Sequence, residues 1–125
     1  MRTTVLIADD NAFVRAALYE FFEREADFQV CAMAENGRQA VETASRLHPD
    51  LIVLDRTMPV MSGLDAARVL KNVMPRVPLI MYCATPEECP EAFTKSVGVS
   101  AIVSKSESAS VLIDTCRWLL HRKAA

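Results

Sequence analysis

Short apolar runs alternate with amphipathic segments along the whole chain. Within the runs nearly every residue is apolar, which is typical of strands buried on both faces of a sheet. The segments between the runs carry apolar residues at helical spacing. This order of elements predicts a single α/β domain, residues 1–125, with a parallel sheet between two layers of helices. The predicted strands are residues 5–8, 30–34, 51–54, 79–82 and 101–103.

Local signals define the ends of the predicted helices. Asn11 is a favoured N-cap for the first helix, whose apolar stripe is expected to include Phe13. A residue before proline avoids the helical region, so the second helix ends before Pro49 and the third before Pro75. Pro90 is tolerated only in a first turn, which delays the regular part of the fourth helix. The second to fifth helices are expected at about residues 38–47, 64–73, 91–97 and 109–120.

Composition excludes several classes of protein. The chain has 125 residues, of which 51% are hydrophobic, enough to bury the core of one domain. Its net charge of −2 gives no broad basic surface for nucleic acid, and no apolar stretch approaches the length of a membrane span. The four cysteines lack the CxxC spacing of zinc sites. We therefore expect a cytoplasmic protein with reduced thiols that contacts neither nucleic acid nor membrane.

Three acidic residues follow the ends of predicted strands. Asp9 and Asp10 come after the first apolar run, and Asp55 comes directly after the third. A carboxylate at the end of a buried strand costs free energy unless its charge is used. Parallel strands of one sheet end at the same edge, so the three side chains are expected to converge. Convergent carboxylates indicate a divalent cation, and with that cation one of the acids is a candidate phosphoryl acceptor.

These acidic residues belong to a wider set of motifs. Residues 55–63 have the form D-x-x-M-P-x-x-x-G, and residues 36–40 have the form N-G-x-x-A. Lys105 follows the fifth predicted strand. In this order, the acidic pair, both motifs and the lysine resemble the receiver domain of two-component response regulators. Ser106, where many members of that family have proline, makes the resemblance greatest to receivers of the LuxR/NarL type.

The resemblance implies a fold and a function. The fold is a flavodoxin-like α/β/α arrangement with strand order 2-1-3-4-5. Asp55 is the expected phosphoacceptor, and Lys105 is expected to pair with the phosphoryl oxygens. The expected phosphoryl donor is a sensor histidine kinase or a phosphotransfer protein, with a second copy of the chain or an output domain as a further partner. The chain is expected to be a signalling protein and not an enzyme, beyond catalysing its own phosphorylation and dephosphorylation.

The resemblance also implies a metal site. Mg²⁺ is the expected ion, and Asp9, Asp10 and Asp55 are its expected side-chain ligands. Asp10 is expected to bind the ion directly and Asp9 through a water molecule. The backbone carbonyl of Thr57 is expected to complete the protein ligands.

Two residues depart from the family pattern at positions that normally transmit phosphorylation. Cys83 stands where the family has threonine or serine, and a thiol is a weak hydrogen-bond donor. Ile102 stands where the family usually has an aromatic residue. Phosphorylation of Asp55 is still expected. The alternative is an atypical receiver that binds its partners independently of phosphorylation.

Some cysteine and apolar residues have two interpretations each. Cys83 is either a redox sensor or, as is commoner for a buried thiol, a packing residue. Cys89 is expected to lie exposed on the loop before the fourth helix. Val111 and Trp118, seven residues apart in the fifth helix, either form a partner surface or cover the edge of the core.

Overall fold

Five strands and five helices alternate along the chain. The computed structural model describes residues 2–124, except for the side chains of Pro86, Lys123 and Ala124. A short 3₁₀ turn, Pro86–Glu88, precedes the fourth helix. The strands are β1 Thr3–Ala8, β2 Phe28–Ala34, β3 Leu51–Asp55, β4 Leu79–Cys83 and β5 Ala101–Ser104. The helices are α1 Ala12–Glu23, α2 Gly37–Leu47, α3 Gly63–Val73, α4 Glu91–Ser96 and α5 Ala109–Ala124.

The strands form one parallel sheet in the order β2-β1-β3-β4-β5. Buried residues divide into two clusters, one on each face of the sheet. Side chains of α1 and α5 pack on one face, and side chains of α2 and α3 pack on the other. The three-layer fold and the strand order are therefore as predicted. Every residue of the central strands β3 and β4 is buried, which explains their continuous apolar runs.

The helix ends follow their local signals closely. The Asn11 side chain accepts hydrogen bonds from the backbone N–H groups of Phe13 and Val14, and so caps α1.

The predicted apolar stripe of α1 is wrong at its first residue, because Phe13 is 87% exposed. The fully buried residues of α1 are Leu18 and Phe22. Phe13 lies in the first turn of α1, next to the Asn11 cap.

The starts of β1 and β3 are joined by side-chain hydrogen bonds. One carboxylate oxygen of Asp50 accepts the Thr4 N–H at 2.9 Å and the Thr4 hydroxyl at 3.1 Å. The Asp50 N–H in turn donates to the Thr4 carbonyl oxygen at 3.0 Å. From there the two strands run in register to the pair Ala8 and Leu54. The residues that follow, Asp9 and Asp55, therefore end the two strands at the same level.

All four cysteines are free thiols. Cys116 is buried in the core and Cys31 is half-buried. The prediction that Cys89 is exposed is wrong, because only 3% of its surface is accessible. The 3₁₀ turn brings the chain back over the end of β4, and the Cys89 side chain packs there against Cys83. A loop position therefore contributes to the core.

Two residues of α5, Val111 and Trp118, differ in their surroundings. Val111 packs against the edge of the core on the α1 and α5 face. Trp118 is exposed, and the guanidinium of Arg122 lies 5.2 Å from its ring centroid. Among residues 2–124, no helix combines the length and apolar composition needed to cross a bilayer.

Candidate functional site

The carboxyl ends of β1 and β3 bring three carboxylates together. Asp55 is the last residue of β3, and Asp9 and Asp10 follow directly after β1. One carboxylate oxygen from each residue can be chosen so that all three oxygens lie within 4.8 Å of one another. Asp9 is 1% exposed and Asp55 is 8% exposed, whereas Asp10 faces solvent. The predicted convergence of the three acids is present in the structure.

Hydrogen bonds hold Asp9 in place from three directions. Its carboxylate accepts the Asn11 N–H at 2.9 Å, and its own N–H donates to the Ala34 carbonyl oxygen of β2 at 3.1 Å. The Asp9 carbonyl oxygen accepts a 2.7 Å hydrogen bond from the guanidinium of Arg15. Sequence reasoning missed Arg15, whose role is visible only once α1 lies beside the end of β1. The signal in the sequence was its position one turn after the Asn11 cap.

Lys105 reaches the same pocket from the end of β5. Its ammonium lies 2.9 Å from an Asp9 oxygen and 3.2 Å from an Asp55 oxygen. Its backbone N–H donates to the Cys83 carbonyl oxygen at 2.7 Å, which joins it to the end of β4. The ammonium also lies 5.9 Å from the ring centroid of Tyr82, a neighbour that sequence reasoning did not identify. One cation therefore contacts two of the three acids.

The charges in the pocket shift the ionisation of Asp55 and Lys105. Burial, together with the nearby charge of Asp9, raises the pKa of Asp55 to about 6, although Lys105 acts against this shift. Burial alone would lower the pKa of Lys105. Its hydrogen bond to Asp9 and the charges of Asp55 and Asp9 outweigh burial, so the Lys105 pKa lies above its usual value. Lys105 is therefore an ammonium at neutral pH, and Asp55 is mostly a carboxylate.

Gly63 brings the start of α3 against the end of β3. Its N–H donates to the Arg56 carbonyl oxygen at 2.8 Å. A Cβ atom at this position would overlap the Asp55 carbonyl oxygen, so a residue with a side chain requires a backbone shift next to the site. In the loop between Asp55 and Gly63, the exposed Val60 has a φ of 68°, a left-handed conformation that is unfavourable for a β-branched residue. The sequence D-x-x-M-P-x-x-x-G therefore forms a tightly folded loop.

The two unusual residues of the sequence lie on the α4 side of the site. Cys83 is the last residue of β4 and is fully buried. Ile102, in β5, is half-buried against the core cluster that contains Cys83. Thr57 is exposed, two residues after Asp55. The assignment of its carbonyl as a metal ligand stays a prediction.

The family of this chain is identified by its similarity to known proteins. The family model described as the response regulator receiver domain matches residues 5–117. The chain belongs to this family. As a receiver, it is a phosphoacceptor domain of two-component signalling, and the phosphorylation-independent alternative is not favoured. Receivers of this family bind Mg²⁺ at an acidic cluster and interact with histidine kinases and phosphotransfer proteins.

Similar proteins and solved structures agree with the assignment to this family. The receiver is 40% identical, over 110 residues, to protein-glutamate methylesterase/protein-glutamine glutaminase 1 of Methanosarcina acetivorans, covering 86% of this chain and 31% of that protein. The response regulator domain of Thermotoga maritima CheB matches at TM-score 0.86 and 25% identity, over 100% of this chain and 98% of the other. A LuxR-family response regulator from Aurantimonas sp. SI85-9A1 has the same fold, at TM-score 0.91 and 21% identity, over 97% and 86% of the two chains.

One prediction is corrected by these relatives. The sequence suggested a protein that is not an enzyme, but the curated relatives are named as enzymes, protein-glutamate methylesterase/protein-glutamine glutaminases. The receiver spans 31% and 26% of two of them. The prediction was wrong because it was made from the receiver alone. The residues of a receiver pocket carry no information about the activity of a protein that contains it.

Proposed function

We propose that Asp55 is the residue that accepts the phosphoryl group in this receiver. An Asp55 oxygen would attack the phosphorus atom of the donor, and the bond from phosphorus to the donor's leaving atom would break. The product is an aspartyl phosphate. The observation that supports this proposal most strongly is the arrangement of charges. One oxygen from each of three carboxylates lies within 4.8 Å of the others, and the Lys105 ammonium contacts two of the three acids.

The acidic cluster is suited to a hard divalent cation. Three carboxylates and one ammonium leave an excess of negative charge in a partly buried pocket, where burial and the charge of Asp9 together raise the pKa of Asp55. Oxygen ligands are the ones that Mg²⁺ prefers. We assign Asp9, Asp10 and Asp55, with the Thr57 carbonyl, as the residues that would hold Mg²⁺. When bound, the ion neutralises charge on the phosphoryl oxygens.

Lys105 and Cys83 would act on the opposite side of the phosphoryl group. The Lys105 ammonium already contacts Asp55, so a small movement places it against a phosphoryl oxygen. Cys83 occupies the position from which a hydroxyl usually donates to that group. Because a thiol donates only weakly, this receiver would hold its phosphoryl group with one strong side-chain donor instead of two.

Phosphorylation by a small donor tests the assignment of Asp55. We expect acetyl phosphate with Mg²⁺ to add one phosphoryl group to the chain, detected by intact mass. Asp55→Asn should abolish this addition. Asp65→Asn is the matched control, because Asp65 is an exposed acid on α3 whose carboxylate pairs with Arg68. Equal phosphorylation of the wild-type chain and Asp55→Asn would overturn the proposal.

The metal assignment has a separate test. We expect Mg²⁺ to shift the backbone amide NMR signals of residues near Asp9, Asp10 and Asp55, and Asp10→Asn to weaken that binding. Beryllofluoride, added with Mg²⁺, then reports how far the change spreads. Amide shifts that extend to α4 and α5 would indicate switching of the partner surface. No Mg²⁺-dependent shift in the acidic pocket would contradict the assignment.

The partners and the wider protein are also proposals. We propose that residues 1–125 form one receiver domain and that a sensor histidine kinase or a phosphotransfer protein supplies the phosphoryl group. The names of the relatives favour a methylesterase/glutaminase as the regulated activity. Adding the phosphorylated and unphosphorylated chain to the catalytic part of such a relative, and measuring methyl-ester hydrolysis, tests this link. An effect that does not depend on phosphorylation would contradict it.

A further inference from the structure

Cys83 and Cys89 form a buried pair of thiols next to the phosphorylation site. Cys83 ends β4, and Cys89 follows the 3₁₀ turn Pro86–Glu88. Both side chains are buried in the same core cluster, and Cys83 is near enough to Cys89 to contribute to the raised pKa of the Cys89 thiol. The pair is therefore distinct from the isolated thiols Cys31 and Cys116.

A groove gives small molecules access to one member of the pair. It lies between α4 and β5, has a volume of about 460 Å³ and is lined by Cys89. Glu91 and Lys95 of α4 form one wall, and Ile102 of β5 forms part of the other. An aromatic side chain in place of Ile102 would fill more of this space. Cys89 is thus close to solvent, while Cys83 lies behind it.

We propose that Cys83 and Cys89 form an intramolecular disulfide when the receiver is exposed to a peroxide. In the first step the Cys89 sulphur, as thiolate, attacks one oxygen of hydrogen peroxide. The O–O bond breaks, the thiol proton completes a water molecule, and Cys89 becomes a sulfenic acid. The Cys83 sulphur then attacks the Cys89 sulphur, the S–O bond breaks, and a second water leaves with the Cys83 proton. Two thiols are oxidised by two electrons, and one peroxide is reduced to two waters.

The surroundings of Cys89 make this a slow reaction. Burial, followed by the effect of the neighbouring Cys83 thiol, raises the pKa of the Cys89 thiol to about 12, and the charge of Arg56 opposes this shift only in part. Little thiolate is present near neutral pH, and thiolate is the form that reacts. The pair therefore responds to sustained oxidation and not to a brief pulse. Once formed, the disulfide joins the end of β4 to the start of α4 and removes the thiol hydrogen of Cys83.

Peptide mapping of the full chain tests the disulfide directly. Both cysteines fall in one tryptic peptide, residues 77–95, which contains no internal lysine or arginine. After peroxide, denaturation and alkylation, we expect this peptide to carry no label and to have lost two hydrogens. Cleavage at Glu87 or Glu88 should leave its two halves joined until dithiothreitol is added. Met33, which is 47% exposed, gives an internal measure of oxidation through its sulfoxide.

Two results would overturn the inference. One is alkylation of both cysteines in peptide 77–95 after the peroxide has already converted Met33 to its sulfoxide. The other is oxidation of Cys89 to a sulfinic acid, or its linkage to Cys31 or Cys116, in place of the bond to Cys83. The double variant Cys31→Ser/Cys116→Ser should still form the disulfide. Because the disulfide does not require phosphorylation, its failure would leave the proposed function of Asp55 intact.

Discussion

The Lys105 ammonium lies nearer to Asp9, at 2.9 Å, than to Asp55, at 3.2 Å. Its positive charge is therefore shared between two buried carboxylates, and neither is fully neutralised. Burial of Asp55 and the nearby charge of Asp9 outweigh this partial neutralisation, so the pKa of Asp55 stays raised, at about 6, despite direct contact with a cation. A phosphoacceptor in this setting is ionised at neutral pH, but at a cost in folding free energy.

Replacing Asp55 by asparagine should stabilise the metal-free receiver. The native state keeps the Asp55 proton up to about pH 6, whereas the unfolded chain loses it near the ordinary value of 3.8. The native state therefore binds more protons between these pH values, so the free energy of unfolding falls as pH rises through this window. We expect Asp55→Asn to raise the free energy of unfolding at pH 7 by about 1–3 kcal/mol, measured by urea denaturation.

The pH dependence separates this effect from a general change in packing. Below about pH 3 both states of the wild-type chain carry a mostly protonated Asp55, so the advantage of Asp55→Asn should nearly disappear. Asp65→Asn, at an exposed site, should show no such dependence. A stabilisation of equal size at pH 4 and pH 7 would contradict the charge explanation.

Loss of the Lys105 charge should slow phosphorylation. In Lys105→Met the pKa of Asp55 should rise further, because the cation that opposes the shift is gone. Less of the reactive carboxylate is then present, and the developing phosphoryl charge loses its ammonium partner. We expect acetyl phosphate to react about 100-fold more slowly, followed by intact mass. Lys95→Met, which removes an exposed ammonium paired with Glu91, should leave the rate unchanged.

A hydroxyl at position 83 should strengthen binding of a phosphoryl mimic. Cys83→Thr introduces a strong donor at the end of β4. We expect beryllofluoride with Mg²⁺ to bind about tenfold more tightly than to the wild-type chain, in a titration followed by NMR. Cys83→Val has the shape of threonine without the hydroxyl, so it should not show the gain. Equal affinities for the threonine and valine variants would exclude a hydrogen bond from position 83.

The left-handed backbone of Val60 offers a stabilising substitution. Asparagine tolerates this conformation, and Val60 is 75% exposed, so little apolar burial is lost. We expect Val60→Asn to raise the free energy of unfolding by about 1 kcal/mol, measured by urea denaturation. Val60→Ile keeps the β-branch and should give no gain. A loss of stability in Val60→Asn would show that the valine side chain makes a contribution larger than its strain.

Much of the fold and of the site could be predicted because both depend on patterns local in sequence. Apolar runs identified the strands, and parallel strands that end at one edge brought Asp9 and Asp55 together. The exposure of Phe13, the burial of Cys89 and the hydrogen bond of Arg15 to the Asp9 carbonyl could not be predicted in this way. Each depends on how a helix or turn lies against the finished sheet, which no local pattern specifies.

The hydrogen bonds between Thr4 and Asp50 lie at the opposite end of the sheet from the acidic pocket. Each strand residue advances the chain by about 3.3 Å, and neighbouring residues point to opposite faces. If β3 slipped by one residue against β1, Asp55 would move by that distance and point away from Asp9. Thr4 and Asp50 thus help to align the acidic pocket from the far end of the strands. Substitutions there are expected to alter signalling while every residue of the pocket keeps its identity.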